Sequence, residues 1–229
     1  ETIDSRIWPR LAAIAERFWS PGTVNDVADM YRRLDVTSQR LAEFGLRHED
    51  HGRRMMRRIA GDSAPLFETL LDYVRPRDFG GSGATQLVPH ARLIDAAVAD
   101  PRDSWNLRGW AARAGAGDAS AAAALQHHFA RMAGLYARLL ALKAEVPAAE
   151  DGLQVAAALA DLGRVGGEAL DFVIRRAGPD ARWRATADST LAGVAPARIR
   201  QWQLRPVGVD AVRLLVDAAK GLPPPNGSL

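Results

Sequence analysis

Residues Asp4–Pro21 read DSRIWPRLAAIAERFWSP, and this stretch has the residue spacing of a helix. Its apolar residues form two stripes at helical spacing, Ile7, Leu11, Ile14 and Phe18 on one and Trp8, Ala12, Ala15 and Trp19 on the other. Ser5 is a good N-cap, and Pro9 lies near the start, where its missing N–H does little harm. The pattern predicts one helix over residues 6–19.

A helix with two apolar stripes must be buried against something on both sides. The chain begins only a few residues earlier, without an initiating methionine. We therefore expect a fragment whose first helix has lost part of its packing partner. We expect Trp8 and Trp19 to be buried. The face left bare should drive self-association or fold back onto the rest of the chain, because apolar surface seeks cover.

The same stretch resembles a segment of glycoside hydrolase family 20, whose members hydrolyse terminal β-N-acetylhexosamine residues. In that family a pattern D-S-R-x-W-P-R-x-A-A-x-A-E-R-x-W-S-P closes the last helix of the catalytic (β/α)8 barrel, and Asp4–Pro21 follows it almost completely. Residues 40–45 fit the R-L-x-x-x-G-like pattern that comes next, with Gly45 as a C-cap. The resemblance implies a catalytic barrel upstream in the same polypeptide as the partner of this chain.

The family's catalytic chemistry is missing from this chain. Family 20 enzymes use the substrate's own 2-acetamido oxygen as nucleophile, with an adjacent Asp-Glu pair in an H-x-G-G-D-E-like motif. No Asp-Glu dipeptide occurs here; Glu49-Asp50 and Glu150-Asp151 are reversed and lack the glycines. We predict no catalytic, cofactor-binding or metal-binding residue, no cofactor, and no hydrolysis of a chromogenic N-acetyl-β-glucosaminide by this chain.

Other candidate sites have simpler interpretations. The cluster His48–His51 lacks the spacing of a zinc helix and is interpreted as solvated loop. The neighbours His127 and His128 point about 100° apart on a helix and cannot share a ligand. Residues 80–85 lack the lysine of a phosphate loop and are interpreted as flexible linker. The four arginines within 53–58 form one helix face, interpreted as solvated rather than as a phosphate-binding patch.

Composition narrows the remaining function classes. The formal net charge is +3 with acids and bases interspersed, and no nucleic-acid motif accompanies the arginines, so we expect no nucleic-acid partner. No apolar run approaches the roughly 18 residues needed to cross a bilayer, so we expect no membrane partner. The chain has no cysteine, which excludes disulfides, thiolate zinc sites and cysteine nucleophiles.

The rest of the chain also has helical spacing. We predict helices at about residues 25–44, 51–60, 64–74, 93–98, 105–114, 119–146, 152–177 and 207–220, and no sheet of more than two strands. A connector should carry Trp183 and Trp202. The two longest helices share a 4-3 apolar rhythm and a short connection, so they should pack antiparallel, with Gly163 and Gly167 allowing close approach.

The predicted fold is all-α, a multi-helix bundle made of the closing barrel helix and a C-terminal helical extension. Glycines and prolines cluster in residues 76–90, which we interpret as a loop or linker between residues 1–75 and 91–220; residues 221–229 should be a disordered tail. Residues 159–170 resemble an L-x-x-L-G-x-x-G-x-E-A-L-type motif in the helical extension of some bacterial members of the family.

The six tryptophans are candidate sugar-binding residues, because indole faces stack on pyranose rings. Trp8 and Trp19 are interpreted as structural. Trp105, Trp110, Trp183 and Trp202 are freer to differ in role, but core packing is the favoured interpretation for each.

Two functions stay open, beside a basic helical nucleic-acid binder as a minor third alternative. The first is the C-terminal, non-catalytic part of a bacterial β-N-acetylhexosaminidase that uses substrate-assisted retaining catalysis. The resemblance implies a periplasmic or secreted enzyme. The second is a stand-alone helical interaction or oligomerisation module without glycosidase activity.

Overall fold

The computed structural model describes residues 3–77 and 92–223. In chain order the helices are α1 (Ile3–Ile7), α2 (Arg10–Trp19), α3 (Val27–Glu43), α4 (His51–Ala60), α5 (Ala64–Leu71), α6 (Leu93–Ala96), α7 (Arg102–Gly115), α8 (Ala119–Leu142), α9 (Ala148–Arg175), α10 (Ala181–Gly193) and α11 (Val209–Lys220). The strands are β1 (Val74–Pro76) and β2 (Leu204–Pro206). The predicted multi-helix fold is confirmed. None of the described helices is long and apolar enough to cross a membrane.

The predicted single helix over residues 6–19 is wrong, because it is divided at Pro9. The Trp8 N–H still donates to the Asp4 carbonyl at 2.7 Å, which completes α1. Pro9 has no N–H to donate and disfavours helical geometry in the residue before it, so the helix restarts as α2. Ser5 is not the N-cap of α2; it lies inside α1 and is buried.

The end of α3 follows the sequence prediction closely. Gly45 has a positive φ of 91°, which a residue without Cβ adopts freely. Its N–H donates to the Ala42 carbonyl at 2.9 Å, and the N–H of Leu46 donates to the Leu41 carbonyl at 3.1 Å. These two bonds are those of a Schellman motif, which turns the chain from α3 towards α4.

Helices α8 and α9 form the centre of the fold, packed antiparallel as predicted. The glycines of α9 establish the direction, since Gly152 lies against Leu139 near the end of α8 and Gly163 lies against Phe129 further back. The buried stripe of α8 contains Leu125, Phe129, Met132, Leu135 and Leu139. Tyr136 lies one residue to the side of this stripe and is exposed.

Close backbone approach in this pair is confirmed for one of the two predicted glycines. A Cβ added to Gly163 would lie 2.6 Å from the Phe129 carbonyl oxygen and 2.8 Å from the Ala133 nitrogen. A Cβ added to Gly167 would meet no atom within 4 Å. Instead Gly166 contacts the helix partner, with the Phe129 ring 2.8 Å from where its Cβ would stand.

Two predicted segments have a different secondary structure, the end of the 64–74 helix and the connector around Trp183. Helix α5 ends at Leu71 rather than at Val74, because Val74 begins β1. The strand pairs antiparallel with β2 in the register Val74↔Pro206, and this is the only sheet among the described residues. The predicted connector around Trp183 is a helix, α10, whose N-cap Asp180 accepts from the Trp183 N–H at 2.7 Å.

One buried apolar cluster extends from Met55 in α4 to Ala219 in α11. It therefore contains residues from both sides of the predicted linker 76–90. Most of that linker, residues 78–90, lies outside the described residues, as do residues 224–229 of the predicted tail. The division at 76–90 stays a prediction.

Candidate functional site

The segment Asp4–Pro21 lies in an N-terminal layer that we define as α1–α3, residues 3–43. The remaining described helices, α4–α11, form the body. The layer and the body meet along a seam, and the other side of the layer faces solvent. The two sides of this layer use different residues of the segment.

Polar residues of the segment bind the rest of the chain. The Asp4 carboxylate accepts the Arg47 N–H at 3.0 Å, in the turn after α3. The Ser5 hydroxyl lies 3.2 Å from Nε2 of His51, at the start of α4. Glu16 forms an ion pair with Arg33 of α3. These three contacts fix α1 and α2 against α3 and α4.

His48 and His51 are also part of this seam, and our interpretation of them as solvated loop residues is wrong. Each is only 3% exposed. Nε2 of His48 lies 2.6 Å from the Ser38 hydroxyl, which also donates to Glu49 at 2.6 Å. Buried polar groups require such partners, so these bonds through His48 and His51 tie α1 and α3 to the start of the body. Among the described residues no group of three metal-binding side chains occurs.

Sequence analysis missed these serine–histidine pairs, although one signal pointed to them. Ser38 occupies a position on the otherwise apolar face of α3 and is 2% exposed. A hydroxyl buried on an apolar helix face needs a hydrogen-bond partner. The sequence could not identify that partner as His48, because the turn at Gly45 determines it.

The solvent side of the layer exposes one complete apolar stripe. Its members are Ile3, Ile7, Leu11, Ile14 and Phe18, and we call them the outer stripe. Phe18 is 82% exposed, and α2 has no buried residue. Large exposed apolar patches often mark interaction sites. The four members within residues 4–21 occupy the four positions that the family pattern leaves open.

The predicted burial of the first two tryptophans is wrong for Trp19, which is 90% exposed beside Phe18. Trp8 is half-buried at the break between α1 and α2. The helix break explains this difference, because it places Trp8 at the seam and leaves the end of α2 in solvent. Phe18 and Trp19 are therefore both exposed at the C-terminal end of α2.

The seam opens into a cleft of about 490 Å³ between the layer and the body. Its best-defined contact joins Tyr31 of α3 to the body, where the phenol donates to Asp100 at 2.7 Å. The Tyr31 ring also lies 4.6 Å from that of Trp105, centroid to centroid. Burial, and next the bond to Asp100, raises the pKa of the Tyr31 phenol, so it remains a donor at neutral pH.

The other body tryptophans have packing roles, as favoured from the sequence. Trp110, Trp183 and Trp202 pack against the buried cluster. Trp183 also donates its indole N–H to Glu168 at 2.8 Å. Trp105 differs, because it contacts Tyr31 at the cleft and is 38% exposed.

The structure also places two other candidate clusters, whose interpretations given above stay predictions. Four arginines of α4, Arg53, Arg54, Arg57 and Arg58, are exposed, while Met55 and Met56 between them are buried. His128 is buried and lies 2.8 Å from the Tyr73 hydroxyl through Nδ1, whereas His127 is exposed. The glycine-rich stretch 80–85 lies outside the described residues.

Comparison with known proteins relates the chain to one group of enzymes. It is 46% identical to the β subunit of mouse β-hexosaminidase over 41 residues, which is 18% of this chain and 8% of that protein. It is 42% identical to a probable β-hexosaminidase of Drosophila melanogaster over 52 residues, 20% of this chain and 8% of that protein. No family model matches the chain.

A solved structure extends the likeness over almost the whole chain. The X-ray structure of the Flavobacterium johnsoniae chitobiase FjGH20 matches 93% of this chain with a TM-score of 0.73 and 25% sequence identity. These likenesses relate this chain to the β-hexosaminidases and to a chitobiase of glycoside hydrolase family 20. The likeness includes the body as well as the N-terminal layer.

This chain spans only part of the length of the proteins it resembles. It covers 32% of the chitobiase and about a tenth or less of each curated β-hexosaminidase it matches. These likenesses are consistent with a C-terminal part of a family 20 protein. The Asp-Glu pair of the family has no counterpart in this sequence, so no catalytic residue is assigned to it.

Proposed function

We propose that this chain is the C-terminal, non-catalytic helical region of a bacterial β-N-acetylhexosaminidase, and that it closes and stabilises the catalytic barrel through the outer stripe. The exposed stripe, Ile3 to Phe18, is the observation that carries the proposal. The family resemblance indicates that the catalytic barrel covers this stripe, since the same segment closes the barrel in family 20.

The two sides of the segment Asp4–Pro21 differ in their contacts, and this difference supports the role. Asp4, Ser5 and Glu16 are bonded to residues of this chain, so one side of the segment has its partners here. The large apolar residues on the other side are exposed. A closing helix of a barrel is expected to be covered on both sides, by its neighbouring helix and by barrel strands.

The activity of the whole enzyme follows from the same proposal. It would release terminal N-acetyl-β-hexosamine residues by substrate-assisted, retaining catalysis, with the acid/base glutamate and its aspartate neighbour in the upstream barrel. A periplasmic or secreted location and the absence of nucleic-acid and membrane partners belong to the proposal as well.

The proposal is tested by comparing this chain with the longer polypeptide that includes its upstream region. We expect the longer polypeptide to hydrolyse a chromogenic N-acetyl-β-glucosaminide and this chain to be inactive. The double variant Ile14→Ser/Phe18→Ser should lower the Tm of the longer enzyme by several degrees, because about 25 cal/mol is lost per Å² of apolar surface left unburied. The same variant should leave the Tm of this chain unchanged.

A matched control uses Leu214, an exposed apolar residue of α11 in the body. Leu214→Ser should change neither Tm. Hydrolysis by this chain that survives repurification would contradict the proposal, as would a longer enzyme whose Tm is indifferent to the double variant.

The exposed stripe also favours the second function, a stand-alone oligomerisation module. In that case this chain should sediment as a dimer that Ile14→Ser/Phe18→Ser dissociates without loss of helical content. The coding sequence upstream of Glu1 separates the two functions, because only the first requires a Gly-Gly-Asp-Glu motif there.

A further inference from the structure

The seam cleft lies on the opposite side of the N-terminal layer from the outer stripe. Its volume of about 490 Å³ falls within the range of roughly 300–1,000 Å³ that is usual for small-molecule sites. Residues from α1, α3, α5, α7 and α8 contribute to its wall. A cleft shared by so many elements has a wall fixed by the fold rather than by one loop.

Two indole rings and one phenol line the cleft. Trp105 presents part of its ring to the cleft while the Tyr31 ring supports it at 4.6 Å. Trp8 contributes the second indole from the break between α1 and α2. Flat aromatic rings with one accessible part suit ligands that have an apolar face and polar edges.

The polar lining offers both hydrogen-bond donors and acceptors. Carboxylates of Asp35 and Asp100 accept, the guanidinium groups of Arg10 and Arg131 donate, and the Asn106 amide does both. This mixture fits hydroxyl and amide groups, each of which donates and accepts. A ligand with a single charge would need a lining of the opposite sign.

The formal charge of the lining argues against an anionic ligand. Five carboxylates line the cleft, from Asp35, Glu49, Glu68, Asp72 and Asp100, against the three guanidinium groups of Arg10, Arg53 and Arg131. One of the three, Arg131, already donates to Asp72 at 3.1 Å. Phosphorylated or acidic ligands would therefore meet net repulsion.

We propose that the seam cleft binds a neutral N-acetylated saccharide, with Trp105 as the stacking platform and Asn106 as a hydrogen-bond partner of the sugar. The saccharide class follows from the aromatic and mixed polar lining. The N-acetyl group rests on the proposed function, since a glycan on which a β-N-acetylhexosaminidase acts carries it. The cleft would hold such a glycan outside the catalytic barrel.

The test is isothermal titration calorimetry of the 229-residue chain with N,N′-diacetylchitobiose. We expect saturable binding to the wild-type chain. Trp105→Ala should weaken binding about tenfold, since an aromatic contact contributes about 1 kcal/mol beyond its buried area and 1.4 kcal/mol is tenfold. Asn106→Ala, an exposed change that leaves the ring pair intact, should weaken binding by a smaller factor. Trp19→Ala is the matched control and should bind as the wild type does.

Four outcomes would overturn the assignment. Absence of saturable binding up to the solubility limit of the sugar would remove the site. Equal weakening by Trp19→Ala and Trp105→Ala would place binding elsewhere. Preference for the cationic glucosamine dimer would make the cleft an amine site, and equal binding of cellobiose would remove the N-acetyl requirement. None of these outcomes depends on the Tm shifts that test the outer stripe, so the two proposals fail separately.

Discussion

Helices α2 and α9 have comparable apolar repeats and opposite surroundings. Twelve residues of α9 are buried, including Val155, Leu159 and Leu162, whereas α2 has none. The difference lies in the neighbours, because α9 packs against α8 and α11 and α2 packs against α3 alone among the described helices with more than minor contact. Apolar spacing therefore identifies the face that a helix will bury, while the partner has to be supplied by other sequence.

Two phenylalanines test this difference with the largest expected effect. Phe129 of α8 is 2% exposed and packs against Gly163 and Gly166, whereas Phe18 of α2 is 82% exposed. Phe129→Ala should lower the free energy of unfolding of this chain by about 3–5 kcal/mol, because it removes buried surface and leaves a cavity. Phe18→Ala should change it by less than about 0.5 kcal/mol. Urea unfolding followed by circular dichroism measures both.

The comparison would fail if the two variants lost similar stability. Such a result would mean that the outer stripe is already covered in this chain, by a second copy or by part of the chain outside the described residues. Repeating the measurement at several protein concentrations distinguishes these cases, since only cover by a second copy depends on concentration.

The body was predictable because its signals are local. Helix α4 begins and ends at His51 and Ala60, as the sequence indicated, and the turn at Gly45 has the positive φ that its glycine suggested. The antiparallel α8–α9 pair followed from two apolar rhythms and a short connection. In each case the residues that form the element also carry the sequence signal that predicts it. Contacts with residues far away in sequence were therefore not needed for the prediction.

The N-terminal layer was less predictable because its structure depends on distant contacts. The sequence permitted Pro9 inside the first turn of one helix, but the chain breaks there and places Trp8 at the seam. Burial of Trp19 required a partner that the described residues do not provide. The seam cleft could not be predicted either, since Tyr31 and Asp100 meet across 69 positions of sequence.

Two glycines of α9 test close packing in the body at a finer scale. Gly163→Ala should destabilise the chain by about 1–3 kcal/mol, because the new Cβ would stand 2.6 Å from the backbone oxygen of Phe129 and the helices must separate. Gly167→Ala meets open space and should stabilise the chain by about 0.5–1 kcal/mol, the helix preference of alanine over glycine. Thermal unfolding measures both signs. Equal effects would show that α8 and α9 are not in close backbone contact at Gly163.

The smallest expected effect concerns two carboxylates, Asp118 in the body and Asp29 in the N-terminal layer. Hydrogen bonds lower the pKa of Asp118, first from the Ala121 N–H at the start of α8 and then from the Arg113 guanidinium. Bonds from Arg33 and Arg32 lower the pKa of Asp29 in α3. A carboxylate whose pKa is lowered by folding adds stability above its unfolded pKa of about 3.9, and this contribution is lost as the pH falls through the folded pKa.

We expect the two carboxylates to differ in which unfolding event they affect. Helix α8 unfolds with the core, so Asp118→Asn, which keeps the cap to Ala121 but loses the charge, should flatten the decline of the Tm below about pH 4. Helix α3 holds few buried residues and can open locally without the core, so Asp29→Asn should leave the global Tm profile unchanged and increase only amide hydrogen exchange within α3. Thermal scans at a series of pH values, with hydrogen exchange at neutral pH, separate the two. If Asp29→Asn flattened the Tm profile as much as Asp118→Asn, the N-terminal layer would unfold together with the body, and the outer stripe would belong to a layer as stable as the core.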